Sequence, residues 1–112
     1  MQLKDMISQC TGDSARWFPG EAQSLANLVL CMCGEAGEVA NIVKKVVRGS
    51  LSIEQVTDPQ VMGDLGKDTL QEEIIDVLIY LCNLMGLKEF KDVDWTTIWY
   101  DKRDFNEQRF GA

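Results

Sequence analysis

Hydrophobic side chains recur every three or four residues along most of this chain, and that period is typical of an α-helix. The pattern predicts four helices, at about residues 2–9, 21–48, 69–87 and 95–110. No segment shows the alternation of hydrophobic and polar residues that is typical of a β-strand. We therefore predict an all-α fold, a helical bundle that forms one domain over residues 1–112.

Glycine and capping residues set the expected ends of these helices. The first helix is expected to end at about residue 9, before a segment in which Gly12, Pro19 and Gly20 interrupt the helical pattern. Residues 49–67 are predicted to form a loop with one helical turn at most. Asp68 and Gln71 resemble a capping box at the start of the third helix, and Asp94 is the expected N-cap of the fourth.

The second helix carries two glutamates on the face that its other residues predict to be buried. Glu35 falls within the hydrophobic stripe of this helix, and Glu38 lies at the edge of the stripe. The hydrophobic members of the stripe are Leu28, Met32, Val39, Ile42 and Val46. A carboxylate in such surroundings is costly unless it is paired or takes up a proton. Folding alone therefore does not explain why glutamates occupy these two positions.

The third helix is hydrophobic on almost every side, which predicts a central position in the bundle. Its polar strip is mainly acidic and holds Glu72, Glu73, Asp76 and Asn83, with Tyr80 beside it. Glu73 and Asp76 are one helical turn apart, as are Glu35 and Glu38. Four carboxylates that face one another inside a bundle repel unless a cation lies between them. We therefore predict that these two pairs bind a metal ion.

The ligand type narrows the choice of metal. The chain contains no histidine, whereas zinc prefers histidine or cysteine and the di-iron centres of helical bundles use histidine. Oxygen ligands alone favour Mg²⁺, with Mn²⁺ as the alternative. The formal net charge of −7 is consistent with a divalent cation, and it makes nucleic acid and an anionic membrane surface poor partners.

The sequence favours a reduced, cytoplasmic protein. The N-terminus does not resemble a signal peptide, and we expect no hydrophobic run to approach the length of a membrane span. Cys31, Cys33 and Cys82 lie in predicted helices among hydrophobic residues, where a free thiol behaves as a small hydrophobic group.

The last helix carries basic side chains on its hydrophobic face. The residues that share this face are Trp95, Ile98, Trp99, Lys102, Phe105, Asn106 and Arg109. Basic groups in such a position extend either into water at the edge of the core or towards an anion held by the metal. The second helix ends in Lys44, Lys45 and Arg48, which are predicted to lie on its outer face.

The chain resembles the MazG-like branch of the all-α nucleoside triphosphate pyrophosphohydrolases in three segments, GEAGEVANIVKKVVRG, LQEEIIDVLIYL and KRDFNEQR. Relatives of that branch include dimeric dUTPases, dCTP pyrophosphatases and phosphoribosyl-ATP pyrophosphohydrolases. The resemblance covers about residues 17–110, and its most specific part is the E-x-x-E motif followed by E-x-x-D. The family often carries a further glutamate where this chain has Gly34.

The resemblance implies a Mg²⁺-dependent enzyme that hydrolyses a nucleoside triphosphate to the monophosphate and pyrophosphate. It implies that Lys102, Asn106 and Arg109 contact the nucleotide, and it places Trp17 near the base, although an aromatic lid on the core is an equally good interpretation of Trp17. Either Glu38 or Glu72 is expected to orient or deprotonate the attacking water. The implied metal ligands are Glu35, Glu38, Glu73 and Asp76.

Two alternative functions stay open at this point. A non-enzymatic helical module would use the same acids to bind a cation or a basic protein partner. A phosphoribosyl-ATP pyrophosphohydrolase would share the chemistry and differ only in its substrate. Because 112 residues cover a central hydrophobic helix poorly, we also expect a homodimer or a homotetramer.

Overall fold

The computed structural model describes residues 1–18 and 24–111, and six α-helices lie in these two ranges. They are α1 (Leu3–Trp17), α2 (Leu25–Val47), α3 (Ile53–Val56), α4 (Pro59–Asp64), α5 (Leu70–Met85) and α6 (Trp95–Phe110), with a 3₁₀ turn at Lys88–Phe90. No strand occurs in either range, which confirms the predicted all-α class. The four long helices correspond to the four predicted ones, and α3 and α4 replace most of the predicted loop.

Helix α1 continues through the position at which the sequence predicts its end. Gly12 lies inside the helix, where a single glycine costs about 1 kcal/mol relative to alanine but does not stop the helix. Packing against α5 compensates for that cost. Gly86, just after α5, comes so close to Ile7 and Thr11 that a Cβ on Gly86 would collide with the Thr11 methyl group. The predicted end before Gly12 is therefore wrong.

Helix α2 has defined caps at both of its ends. Its first turn is capped by the hydroxyl of Ser24, whereas the predicted start near residue 21 lies outside the described residues. The helix ends in a Schellman motif, in which the N–H of Ser50 donates to the carbonyl of Lys45 at 3.0 Å. Gly49 has a φ of +80° in this motif, a left-handed conformation that favours glycine.

The hydrophobic stripe predicted for α2 is the face that packs against the rest of the fold. Leu28 and Ile42 are buried, and the other hydrophobic members of the stripe are half-buried. Glu35 is half-buried among them, and Glu38 is exposed at the edge of the stripe. The helical period alone thus predicted correctly which glutamate enters the packed face.

Helix α2 is also long and apolar enough to cross a membrane, judged by length and composition only. An 18-residue window within it has a mean hydropathy of 1.2, although every such window includes both Glu35 and Glu38. This corrects the expectation that no hydrophobic run approaches that length. Core helices of soluble proteins pass the same test.

Helices α3 and α4 hold the end of α2 against the start of α5. Val56 and Met62 are fully buried and form the main hydrophobic cluster with Ile42. The side-chain amide of Gln71 in α5 donates to the backbone carbonyl of Thr57 at 2.9 Å. These contacts fix the first turns of α5 beside the second half of α2.

The capping box of α5 lies one residue beyond the predicted one. Thr69 is the N-cap, and its hydroxyl oxygen accepts a hydrogen bond from the N–H of Glu72 at 3.3 Å. The Glu72 carboxylate in turn accepts from the N–H of Thr69 at 3.1 Å. Asp68 therefore precedes the cap, and the prediction that paired it with Gln71 is wrong. The predicted cap of α6 is confirmed, because the Asp94 carboxylate accepts from the N–H of Thr97.

A single copy of the chain leaves much hydrophobic surface in contact with solvent. Its accessible surface is 8255 Å², whereas a monomer of this mass is expected to expose about 6,200 Å². Its radius of gyration is 17.1 Å, against about 13 Å for a compact domain of this length. The exposed hydrophobic residues of α5 and α6 include Ile74, Ile75, Ile79, Leu81, Ile98, Trp99, Phe105 and Phe110.

The hydrophobic face predicted for α6 is not buried within one chain. Only Trp95, at the start of the helix, is half-buried. Its indole N–H donates to the backbone carbonyl of Met85 at 3.2 Å, and its ring meets that of Phe90 edge to face at 5.5 Å. These contacts attach one end of α6 to the end of α5, and the rest of α6 is exposed.

Candidate functional site

Three carboxylates meet where α2 faces α5, and we call them the acidic triad. One carboxylate oxygen from each of Glu35, Glu73 and Asp76 lies within 4.8 Å of the other two. All three residues are half-buried. Mg²⁺ holds its oxygen ligands at about 2.1 Å and therefore needs them within about 4 Å of one another. A small side-chain movement would bring the triad to that spacing.

The acidic triad is a site of mutual repulsion. Burial raises the pKa of Glu73, and the charges of Asp68, Asp76 and Glu35 raise it further, in that order. Burial also raises the pKa of Asp76, with Asp68 as the next contribution. In the described part of the chain the one ion pair within 4.0 Å lies in α1, so no basic side chain neutralises the triad. A divalent cation would remove the repulsion, and the all-oxygen donor set suits Mg²⁺.

Glu38 lies beside the acidic triad without being part of it. It is exposed, one helical turn from Glu35, and its charge adds to the raised pKa of Glu73. The structure therefore brings together three of the four predicted metal ligands and leaves Glu38 at the rim. A carboxylate at the rim of a metal site is in a suitable place to orient a water molecule.

Glu72 has a structural role that the sequence did not predict. Its carboxylate accepts hydrogen bonds from the N–H and the hydroxyl of Thr69. These bonds lower the pKa of Glu72. Because a carboxylate with a lowered pKa is a poor proton acceptor, the geometry favours Glu38 over Glu72 as the group that activates water.

A cavity of about 400 Å³ opens on one side of the acidic triad, between α1, α2 and α5. We call it the aromatic cavity, because Trp17, Phe18 and Tyr80 line it together with Glu35 and Asp76. Trp17 is 63% exposed, so it does not act as a lid on the hydrophobic core. The structure thus brings Trp17 to a cavity that adjoins the predicted metal ligands.

Tyr80 and Asn83 line the aromatic cavity, although the sequence assigned them no function. They follow Asp76 by four and seven residues and so share its helical face. Asn83 is buried, and its side-chain amide donates to the carbonyl of Ile79 at 3.1 Å. Burial and the neighbouring Cys31 raise the pKa of the Tyr80 hydroxyl. The polar strip along α5 was the sequence pattern that could have identified both residues.

Lys102, Asn106 and Arg109 lie apart from the acidic triad within one chain. Lys102 and Asn106 line a cavity on α6 to which no triad residue contributes. The Lys102 ammonium lies 5.0 Å from the ring centroid of Phe105, and the Arg109 guanidinium 5.0 Å from that of Phe110. The hydrophobic face of α6 is exposed after Trp95, so within a single copy none of the cavities that the triad lines includes these residues.

A further cavity adjoins the acidic triad on the side of Glu38 and Glu73. The sequence predicts that the lysines at the end of α2 point outwards, but Lys44 and Lys45 both line this cavity. Lys45 is half-buried there. The prediction of an outer face is therefore wrong for Lys45, whereas Lys44 is exposed as predicted. Lys67 joins them from the segment after α4.

Comparisons of the chain with protein-family models, with curated proteins and with solved structures found no match. The resemblance to MazG-like enzymes and the activity that it implies therefore stay predictions.

The raised pKa values predict how the metal-free protein responds to pH. A carboxyl whose pKa is raised on folding favours the folded state below its unfolded pKa, and this contribution is lost as pH rises through the folded pKa. Without metal, Asp76→Asn should therefore melt higher than the parent protein at neutral pH, and the difference should shrink as pH falls towards about 4. Melting curves between about pH 4, near which carboxyls titrate, and about pH 7.5, where ordinary carboxyls are ionised, measure this in the presence of a chelator.

Glu72→Gln is the matched control, because hydrogen bonds lower the pKa of Glu72. Its stabilising charge is present above the unfolded pKa and lost as pH falls. This variant should melt lower than the parent at neutral pH, opposite in sign to Asp76→Asn. A lower melting temperature for both variants at neutral pH would show that the triad is a stabilising network.

Proposed function

We propose that this protein is a Mg²⁺-dependent nucleoside triphosphate pyrophosphohydrolase, which converts the triphosphate to the monophosphate and pyrophosphate. The acidic triad is the observation that carries the proposal. It consists of half-buried carboxylates that no basic residue in ranges 1–18 and 24–111 neutralises, and it adjoins a cavity lined by aromatic and polar side chains. That combination suits a ligand with a flat base at one end and a metal-binding polyphosphate at the other.

In this proposal Glu35, Glu73 and Asp76 hold the metal, which is Mg²⁺ or, as the alternative, Mn²⁺. A divalent ion bound there would supply charge neutralisation for the triphosphate and Lewis-acid activation of water. The half-buried position of the triad limits its contact with solvent and therefore strengthens its attraction for a cation.

The reaction is the addition of water across the bond between the α- and β-phosphates. That phosphoanhydride bond breaks, oxygen from water is added to one of its two phosphorus atoms, and pyrophosphate leaves from the nucleoside monophosphate. Glu38, exposed beside the triad, accepts the proton of the water or orients it. A covalent step is less well supported, because a serine or cysteine nucleophile would lack the histidine that usually activates it.

The nucleoside binds in the aromatic cavity. Trp17 and Phe18 offer ring faces against which a base can stack, and Asn83 and Tyr80 offer hydrogen-bonding groups deeper in the cavity. The cavity shares Glu35 and Asp76 with the triad, so a nucleotide whose base lies there has its phosphates next to the metal.

We also propose that the working form is a homodimer or a homotetramer. The exposed hydrophobic faces of α5 and α6, and the excess of accessible surface over that of a compact monomer, support this. Lys102, Asn106 and Arg109 are separated from the triad of their own chain. If they contact the substrate, they do so from α6 of a second copy.

A cation-binding helical module without catalytic activity is the second candidate. The isolation of α6 favours it, because such a module does not require the basic residues of α6 to approach the acids. A phosphoribosyl-ATP pyrophosphohydrolase would use the same triad and differ in what the aromatic cavity accepts.

The proposed function predicts a specific pair of products. A panel of ribo- and deoxyribonucleoside triphosphates, with phosphoribosyl-ATP included, should yield monophosphate and pyrophosphate in the presence of Mg²⁺ and neither product with a chelator. Glu35→Gln should lower the rate by about 10²-fold or more, since it removes a metal ligand. Anion-exchange chromatography of the products measures both outcomes.

Glu54→Gln is the control for this experiment, because Glu54 is an exposed glutamate on α3, outside the triad. It should retain the parent rate. Diphosphate and inorganic phosphate as the main products would contradict the proposed reaction, and Mg²⁺ binding without turnover of any member of the panel would favour the non-enzymatic module.

The proposed assembly predicts a solution mass of two or four times 12.6 kDa. Ile75 is 51% exposed on α5, so Ile75→Lys should shift the mass towards the monomer with little loss of helicity. Gln9→Lys, which places the same charge at an exposed polar position of α1, should leave the assembly unchanged. Light scattering and circular dichroism measure these results. A parent protein that is monomeric at micromolar concentration would contradict the assembly.

A further inference from the structure

The cavity on the side of Glu38 and Glu73 has a volume of about 360 Å³ and brings basic residues next to the acidic triad. Its wall includes Lys44 and Lys45 from the last turn of α2, and Lys67 from the segment that follows α4. We call it the lysine cavity. It contains three of the eleven basic residues of a chain whose formal net charge is −7. Three acidic residues, Glu38, Asp68 and Glu73, line the same cavity, so the three lysines lie next to the acids.

The backbone after α4 fixes the position of Lys67. Helix α4 ends in a Schellman motif, in which the N–H of Lys67 donates to the carbonyl of Met62 at 2.9 Å. The N–H of Gly66 donates to the carbonyl of Gly63 at 3.0 Å, and Gly66 has a φ of +70°. Met62 is fully buried against Ile42 of α2. The hydrophobic cluster therefore anchors the turn that presents Lys67 to the end of α2.

The amino groups of the lysine cavity repel one another. The amine of Lys67 lowers the pKa of Lys45, through a hydrogen bond and through its charge, and Lys44 acts in the same direction. Glu38 acts in the opposite direction, but none of these lysines has a carboxylate within 4.0 Å in the described part of the chain. An anion that bound between the amines would relieve this repulsion.

A purely structural role explains the three lysines only in part. Lys44 and Lys45 lie in the last turn of α2, where positive charge interacts favourably with the helix dipole. Lys67 lies outside α2, and its amine increases the repulsion there instead of relieving it. The turn at Gly66 thus adds a third positive charge where helix stability does not require one.

The two cavities lie on different sides of the carboxylates. Glu35 and Asp76 line the aromatic cavity, whereas Glu38 and Glu73 line the lysine cavity. A nucleotide whose base is in the first cavity and whose phosphates pass the triad has its terminal phosphates at the second. These phosphates carry most of the negative charge of the substrate and leave together as pyrophosphate.

We propose that Lys44, Lys45 and Lys67 form the binding subsite for the β- and γ-phosphates of the substrate, and for the pyrophosphate that leaves. This inference rests on the proposed function for the identity of the substrate, and it differs from the sequence prediction in assigning the phosphates to α2 and the α4–α5 segment instead of α6. Lysine ammonium groups are common phosphate ligands, and each one can turn its donors towards a different oxygen.

The test measures binding of inorganic pyrophosphate by calorimetry in the presence of Mg²⁺, with the parent protein and with Lys45→Gln/Lys67→Gln. We expect the double variant to bind pyrophosphate at least tenfold more weakly, since it loses two charge-assisted donors, while its affinity for Mg²⁺ alone stays within about twofold. Lys88→Gln/Lys91→Gln, which removes two exposed lysines elsewhere, is the matched control and should bind as the parent does. Circular dichroism verifies that each variant is folded.

Binding of three ligands, pyrophosphate, a nucleoside triphosphate and a nucleoside, shows whether the lysines recognise the phosphates of the substrate. A non-hydrolysable nucleoside triphosphate should lose affinity in the double variant as pyrophosphate does, whereas a nucleoside without phosphates should bind the variant and the parent equally. Equal binding of pyrophosphate by the parent and the double variant would overturn the subsite, even if the parent hydrolyses triphosphates. A protein that binds pyrophosphate through these lysines but hydrolyses no triphosphate would uphold the subsite and contradict the proposed function.

Discussion

The repulsion among Glu35, Glu73 and Asp76 is the constraint on which the interpretation of this fold depends. Their carboxylates lie within 4.8 Å of one another, and burial raises the pKa values of Glu73 and Asp76. Two well-packed hydrophobic helices would be more stable with apolar residues at these positions. The fold instead uses the contacts of α3 and α4 to hold the first turns of α5 against α2, and this holds the acids together. A divalent cation is the simplest group that makes such an arrangement favourable.

The packing of the first turns of α5 against α2 also determines what surrounds the acidic triad. The aromatic cavity opens towards α1, whereas the lysine cavity opens towards the turn after α4. Glu38 occupies the rim, and Glu72, which looks equivalent in sequence, caps α5. The aromatic cavity combines aromatic rings with Glu35 and Asp76, whereas the lysine cavity combines three lysines with Glu38, Asp68 and Glu73. In a single copy, the hydrophobic faces of α5 and α6 stay exposed to solvent.

The sequence predicted the features that depend on helical period and missed those that depend on contacts between helices. The stripe on α2 identified Glu35 as the glutamate that enters the packed face, and the polar strip on α5 identified Glu73 and Asp76. Helix α1 was wrongly expected to end before Gly12, because packing against α5 outweighs the modest cost of one glycine. Glu72 caps α5 because the helix starts one residue later than the sequence pattern predicts. Patterns do not locate helix ends to within one residue. The position of Lys67 depends on how Met62 packs against Ile42, and no local pattern encodes that contact.

The affinity for Mg²⁺ tests most directly whether the acids are present for a cation. Mg²⁺ is titrated by calorimetry into the metal-free parent, Glu35→Gln and the surface control Glu54→Gln. The comparison distinguishes a specific metal site at the triad from nonspecific attraction of Mg²⁺ to a negatively charged protein. We predict that the parent and Glu54→Gln bind Mg²⁺ alike, that Glu35→Gln binds it at least about tenfold more weakly, and that Mg²⁺ at a hundred times its Kd stabilises the parent by about 2.7 kcal/mol. Equal affinities in all three proteins, or no stabilisation of the parent by millimolar Mg²⁺, would show that the triad is not a metal site.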